Sequence, residues 1–103
     1  NELEAKNIID QSGLVTSSQT GIHPRLAEIE AVERMCRFSE FFAQPVMLFH
    51  ISTSEGVDIV RAAKARGAPV WAETCPHYLF MTEDILDQPG HAGAAYLCSP
   101  PQR

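Results

Sequence analysis

The chain has 103 residues, with 13 acidic against 8 basic side chains, so its formal net charge is −5. This balance argues against a nucleic-acid-binding protein, which would normally present a basic surface. An apolar fraction of 45% is typical of a globular protein with a core. The longest apolar run, residues 45–51, is far shorter than the roughly 20 residues that span a bilayer. We therefore expect neither nucleic acid nor a membrane as a partner.

Three cysteines, Cys36, Cys75 and Cys98, lie far apart and form no CxxC pair. This spacing fits neither a disulfide framework nor a zinc ribbon. A reducing, cytoplasmic location is the simplest interpretation. Because the chain opens with Asn1 and closes in the loop-like residues 99–103, we expect it to be a segment of a larger protein.

Helical patterns dominate the first part of the chain. Residues 7–18 are expected to contain a short helical stretch, followed by a polar loop over 17–21. Pro24 suits a first helical turn, and apolar residues recur at helical spacing up to Ala43. The glutamates of this helix, including Glu28, are expected on its solvated face.

Pro45 ends that helix and is followed by an apolar run that predicts a strand over residues 46–51, buried on both faces. A second helix is expected with Ser54, or alternatively Thr53, as its N-cap and with Gly67 in the C′ position. Residues 69–74 predict a second buried strand, with Trp71 in the core.

The alternation of helices and strands predicts an α/β fold with a parallel sheet. The pattern stops after residue 74, where a long connection contains one short helix near residues 83–86. Ligands of parallel α/β proteins bind at the carboxyl ends of the strands. His50 and the segment ETCPHY (73–78) both lie at such ends.

His50 closes an apolar strand, where it could be a metal ligand, an acid/base group or a buried histidine bonded to backbone. Cys75 and His77 could form a nucleophile and its base, although a structural loop is the favoured interpretation. His50, Cys75 and His77 together are a weak signal for zinc. His23 and His91 lie in loops, and we expect both at the surface.

The segment CSPP (98–101) predicts a rigid turn, because each proline fixes its own φ and restricts the residue before it. Such a turn can present backbone N–H and C=O groups to a ligand, or it can be a plain linker.

Five short motifs occur in order along most of the chain. They are EIEA (28–31) with Arg34, FHIST (49–53), ARG (65–67), ETCPHYL (73–79) and YLCSPPQR (96–103). Together they resemble the hydantoinase and dihydropyrimidinase branch of the cyclic amidohydrolases. Each motif alone is weak, and the ordered set is specific.

The resemblance implies that residues 1–103 are an internal part of one (β/α)8 barrel domain, from about the end of strand five to the loop after strand seven. It implies an enzyme that opens a hydantoin or dihydropyrimidine ring and that works as a cytoplasmic homotetramer. The segment alone is expected to be inactive.

The same resemblance implies a role for two residues. His50 would be a metal ligand at the end of the sixth barrel strand, and the backbone of Ser99 would hold the cyclic amide. The family uses two divalent metal ions, expected here to be zinc, bridged by a carboxylated lysine. That lysine and the catalytic aspartate would lie outside this segment.

Some residues depart from the pattern of the hydantoinase branch. His77 replaces Gln, as in allantoinases and dihydroorotases, and Gln102 stands where Leu or Ile is usual. The alternatives are therefore an allantoinase-like or dihydroorotase-like enzyme and a non-catalytic relative that serves as a binding or scaffold protein. A hydrolase with Cys75 as nucleophile is a further alternative.

Overall fold

The computed structural model describes residues 25–89 and 92–102. In chain order the elements are helix α1 (Arg25–Phe42), strand β1 (Val46–Leu48), helix α2 (Ser54–Ala65), strand β2 (Val70–Ala72) and the short helix α3 (His77–Phe80). Two 3-10 helices follow, Glu83–Asp87 and Ala92–Tyr96. The predicted order of helix, strand, helix and strand is confirmed. The expectations for residues 7–21, for His23 and for His91 lie outside the described residues.

Helix α1 buries a narrow stripe formed by Val32, Cys36 and Ser39, which are spaced four and three residues apart. At the end of the helix the buried Ser39 hydroxyl donates a hydrogen bond of 2.7 Å to the carbonyl of Gln44. Burial also raises the pKa of the Cys36 thiol, which keeps this side chain neutral in the core.

Helix α2 has caps at both ends. The Thr53 side chain accepts a hydrogen bond of 3.1 Å from the N–H of Gly56, which makes Thr53 the N-cap. At the other end Gly67 has φ +96°, and hydrogen bonds from Gly67 to Lys64 and from Ala68 to Ala63 close a Schellman motif. The predicted Gly67 end is confirmed, and at the start the alternative Thr53, not Ser54, is the N-cap.

The two strands pair in parallel, with Val46 opposite Val70 and Leu48 opposite Ala72. Both are shorter than predicted. Strand β1 stops early because His50 has φ +47°, outside the extended region. Backbone hydrogen bonds nevertheless continue past the strand ends, from Glu73 to Leu48 at 2.9 Å and from Ile51 to Glu73 at 2.8 Å.

The core lies on the helical side of the strand pair. It contains Val32, Cys36, Ile51, Val60, Ala63, Ala68 and Val70, with Val46, Leu48 and Ile59 packed against it.

The prediction that the strands are buried on both faces is wrong for the described residues, and so is the placement of Trp71 in the core. Side chains alternate along a strand. Met47 and Trp71, which are register partners, are therefore on the opposite face from Val46 and Val70, and Trp71 is 51% exposed. The Lys64 ammonium lies 5.3 Å from the centre of the Trp71 ring. Within residues 25–89 and 92–102, no helix combines the length and apolar character needed to cross a membrane.

Large apolar side chains are also exposed outside the sheet, including Phe41 at 81% and Phe80 at 84%. Exposed apolar surface of this extent drives association. The isolated chain is expected to self-associate, and sedimentation velocity over a range of concentrations measures this directly. A single monomeric species at all concentrations would contradict the expectation.

Candidate functional site

His50 lies two residues after the end of β1, at the carboxyl edge of the parallel pair. Its side chain is exposed and makes no hydrogen bond to any other described residue. Its backbone has φ +47°, a left-handed conformation that is uncommon for a residue other than glycine. Such a conformation persists only where its surroundings hold it.

The chain that follows His50 is held by the carboxylate of Glu28, which projects from the first turn of α1. Glu28 Oε1 accepts hydrogen bonds from the backbone N–H of Ser52 at 2.9 Å, the N–H of Thr53 at 2.9 Å and the Thr53 hydroxyl at 2.8 Å. Glu28 Oε2 accepts a further hydrogen bond from the Ser52 hydroxyl. We call this arrangement the Glu28 clamp.

The expectation that Glu28 belongs to the solvated face of its helix is wrong. Glu28 is half-buried and bonds to residues that are 24 and 25 positions further along the chain. No local pattern signals this role, because the N–H groups that Glu28 accepts from, those of Ser52 and Thr53, precede helix α2 and lie far along the chain. A carboxylate near a helix N-terminus also interacts favourably with the helix dipole.

A second contact lies beside the clamp. The Arg25 guanidinium donates hydrogen bonds of 3.0 and 2.5 Å to the Glu55 carboxylate and one of 3.2 Å to the Ser54 hydroxyl. The hydrogen bonds from Arg25 lower the pKa of Glu55 to about 2. The start of α1 and the start of α2 are therefore joined by two neighbouring carboxylate contacts.

The segment after β2 contains Cys75 and His77, the candidate nucleophile and its base. Among the described residues, no hydrogen bond joins Cys75 to His77. The His77 ring packs on Tyr78, with ring centres 4.1 Å apart, and its Nε2 lies 3.5 Å from the Cys98 sulfur. The imidazole thus faces a different cysteine from the one expected.

A zinc site built from His50, Cys75 and His77 is not found. No group of three or more His, Cys, Asp or Glu residues able to hold a metal ion occurs within 25–89 and 92–102. His50 fits a metal site as a single donor, because it offers an accessible imidazole. Any further ligands would have to come from outside the described residues.

Ser99 lies in the predicted turn, is exposed, and precedes Pro100 through a cis peptide bond. The carbonyl of Pro100 accepts a hydrogen bond of 2.6 Å from the Tyr78 hydroxyl and one of 3.1 Å from the Cys98 thiol. Pro101 and Gln102 are fully buried behind the turn. No hydrogen bond links Ser99 to His50 in the part of the chain that the structure describes.

No protein-family model matches this chain. It is 39% identical over 82 residues to a D-hydantoinase of Streptomyces coelicolor, an alignment that covers 80% of this chain and 18% of that protein. It is 38% identical over 95 residues to an allantoinase of Desulfitobacterium hafniense, an alignment that covers 86% of this chain and 20% of the allantoinase. The solved structure of the dihydropyrimidinase of Brevibacillus agri superposes with a TM-score of 0.88 at 27% identity. The superposition covers 99% of this chain and 22% of the dihydropyrimidinase.

The chain belongs to the hydantoinase and dihydropyrimidinase family of amidohydrolases. It spans about a fifth of the length of the relatives that it matches. The family resemblance predicted from the five sequence motifs is thereby confirmed.

Replacing Glu28 with Ala is expected to loosen the segment that follows His50, because a hydrogen bond to a charged group contributes about 1.5–3 kcal/mol. Amide hydrogen exchange of residues 51–56 should become at least about tenfold faster. The matched control is Glu30→Ala, which removes a carboxylate that is paired with Arg34 on the exposed face of the same helix. Equal exchange in both variants would show that the clamp does not hold this segment.

Proposed function

We propose that this chain is the part of a metal-dependent cyclic amidohydrolase that supplies one metal ligand, His50, and one substrate-binding turn, at Ser99. Membership of the hydantoinase and dihydropyrimidinase family carries the proposal. The reaction would be hydrolytic opening of a hydantoin or dihydropyrimidine ring. Residues 1–103 would form about three strand-helix units of a (β/α)8 barrel, from the end of strand five to the loop after strand seven.

The placement of His50 supports its role as a ligand. Barrel enzymes use the carboxyl ends of their strands for catalysis, and His50 lies at such an end on a backbone held by the Glu28 clamp. Two divalent ions, with zinc as the expected metal, would polarise the ring carbonyl and lower the pKa of a bound water. The bridging lysine, the other ligands and the catalytic aspartate would come from the rest of the enzyme.

Ser99 would act through its backbone. Ser99 is exposed, and the side chains that hold the turn, those of Tyr78 and Cys98, bond to Pro100 and leave Ser99 itself without a hydrogen bond to any other described residue. Paired N–H and C=O groups of the turn would bind the amide or imide edge of a cyclic substrate. This contact orients the ring, and His50 contributes to the site that activates it.

An allantoinase-like substrate is the second candidate. It is favoured by the similarity to the Desulfitobacterium enzyme and by His77, whose Nε2 lies 3.5 Å from the sulfur of Cys98, the residue before Ser99. A dihydroorotase-like substrate is an alternative of the same class. Comparison of kcat/KM for hydantoin, dihydrouracil, allantoin and dihydroorotate on the complete enzyme separates these candidates.

We further propose that the complete enzyme is a cytoplasmic homotetramer. All three cysteines are free, which is compatible with a reducing compartment. Exposed aromatic residues at the end of α1, among them Phe41 and Phe42, offer apolar surface for burial in an assembly.

His50→Ala tests the ligand assignment in the complete enzyme. Loss of this imidazole should remove or weaken binding of one metal ion and reduce turnover severely, while the fold is retained because the side chain is exposed. Elemental analysis of the folded variant provides the metal-to-protein ratio. An unchanged ratio would defeat the assignment, and a wild-type protein without metal or activity would instead indicate a non-catalytic relative.

Ser99→Ala and Cys75→Ser together distinguish the proposed mechanism from nucleophilic catalysis by cysteine. Both variants should keep most of the activity, because Ser99→Ala preserves the backbone groups and because the proposed hydrolysis would use a water activated by the metal ions and no thiolate. Steady-state rates at saturating metal provide the comparison. A Cys75→Ser enzyme that binds metal normally and has lost nearly all activity would overturn the mechanism.

A further inference from the structure

We propose that Tyr78 and Gln102 are positioning residues that fix the Ser99–Pro100 turn from behind and thereby set the affinity for the cyclic substrate. The inference rests on the proposed function, in which the Ser99 backbone binds the ring. It adds two residues that touch the turn and not the substrate. We call this arrangement the Tyr78–Gln102 brace.

Tyr78 is the first part of the brace. It lies on α3, and its hydroxyl donates a hydrogen bond of 2.6 Å to the carbonyl of Pro100, 22 residues further along the chain. The half-buried phenol is fixed in place because its ring packs against His77. Burial and the neighbouring Cys98 raise the pKa of Tyr78 above its usual range, so that the hydroxyl stays protonated and remains a donor.

Cys98 connects the two parts of the brace. Its thiol donates to the same Pro100 carbonyl at 3.1 Å, and its sulfur lies 3.6 Å from the amide oxygen of Gln102. One carbonyl has two lone pairs and can accept from both Tyr78 and Cys98. The carbonyl of Pro100, one peptide beyond Ser99, is therefore held by two donors.

Gln102 is the second part. Its side chain is only 2% exposed, although glutamine is usually found at the surface. The amide nitrogen donates a hydrogen bond of 3.0 Å to the carbonyl of Tyr96. This contact ties the end of the 96–102 loop to its beginning, and a buried amide without such partners would be costly.

The brace and the exposed surface of the turn make different contacts. Tyr78 and Gln102 bond to the backbone on the buried side, whereas Ser99 faces outwards. A contact between the Ser99 peptide groups and a ring amide would exist in both the ground state and the transition state. If the Ser99 peptide groups are no longer aligned with the ring amide, KM should therefore rise and kcat should stay nearly unchanged.

The experiment uses Tyr78→Phe and Gln102→Leu in the complete metal-loaded enzyme, with hydantoin and dihydrouracil as substrates. Each variant has a matched control. The control for Tyr78→Phe is Thr82→Val, which removes an exposed hydroxyl that makes no cap hydrogen bond. The control for Gln102→Leu is Gln88→Leu, which replaces an exposed glutamine with leucine. We expect KM to rise about fivefold to tenfold in both brace variants, with kcat within about twofold of wild type and unchanged metal content. The controls should match the wild type.

Two outcomes would overturn the inference. One is a KM in both brace variants equal to that of their controls. The other is a fall in kcat with unchanged KM, which would assign these residues to the chemical step. If Gln102→Leu fails to fold, Tyr78→Phe tests the inference alone. This substitution removes only the hydroxyl oxygen and keeps the aromatic ring, so the variant is expected to fold.

A wild-type enzyme that opens no cyclic amide would refute the proposed function and not the brace. Amide hydrogen exchange of residues 97–99 and 102, which carry an N–H, then tests the brace directly. Faster exchange in Tyr78→Phe than in Thr82→Val supports the brace, and equal exchange overturns it.

Discussion

The carboxylate of Glu28 is the contact on which the geometry of the candidate site depends. It joins the first turn of α1 to the segment that links β1 with α2, through hydrogen bonds from both Ser52 and Thr53. A left-handed backbone at a residue other than glycine costs roughly 1–2 kcal/mol. A single hydrogen bond to a charged acceptor contributes about 1.5–3 kcal/mol. The clamp can therefore offset the conformational cost at His50 and leave the imidazole accessible.

The Ser99 turn is held in the same way as the segment that follows His50. In each case a side chain from a helix, Glu28 or Tyr78, bonds to the backbone of the loop that carries the proposed binding residue, and that residue stays exposed. At His50 the buried contact is a carboxylate that accepts from N–H groups, and at Ser99 it is a phenol and a thiol that donate to a carbonyl. In both places the residue proposed to bind a ligand makes no side-chain hydrogen bond to the described protein.

Local sequence signals predicted the helices and the order of the elements. The Thr53 cap, the Gly67 end of α2 and the apolar spacing of α1 depend on neighbours within a few residues, so a single sequence contains them. Strand burial was overestimated, because an apolar run shows what a strand would bury and not whether a partner covers it. Trp71 shows this most clearly.

The polar contacts of the site could not be predicted in the same way. Glu28 had the spacing of a surface residue, and its partners lie 24 and 25 positions away. Gln102 and Tyr78 likewise depend on a loop that folds back over a helix, which no periodic pattern reports. The motifs that carry the family resemblance nevertheless contain most of these residues. The motif resemblance thus named the candidate residues, and the structure supplied the contacts around them.

Anomalous X-ray diffraction from crystals of the complete enzyme with zinc tests the central claim most directly. We expect an anomalous peak at about 2.0–2.1 Å from a ring nitrogen of His50, the usual zinc–imidazole distance. A fully occupied metal centre with the His50 ring outside coordination distance would contradict it.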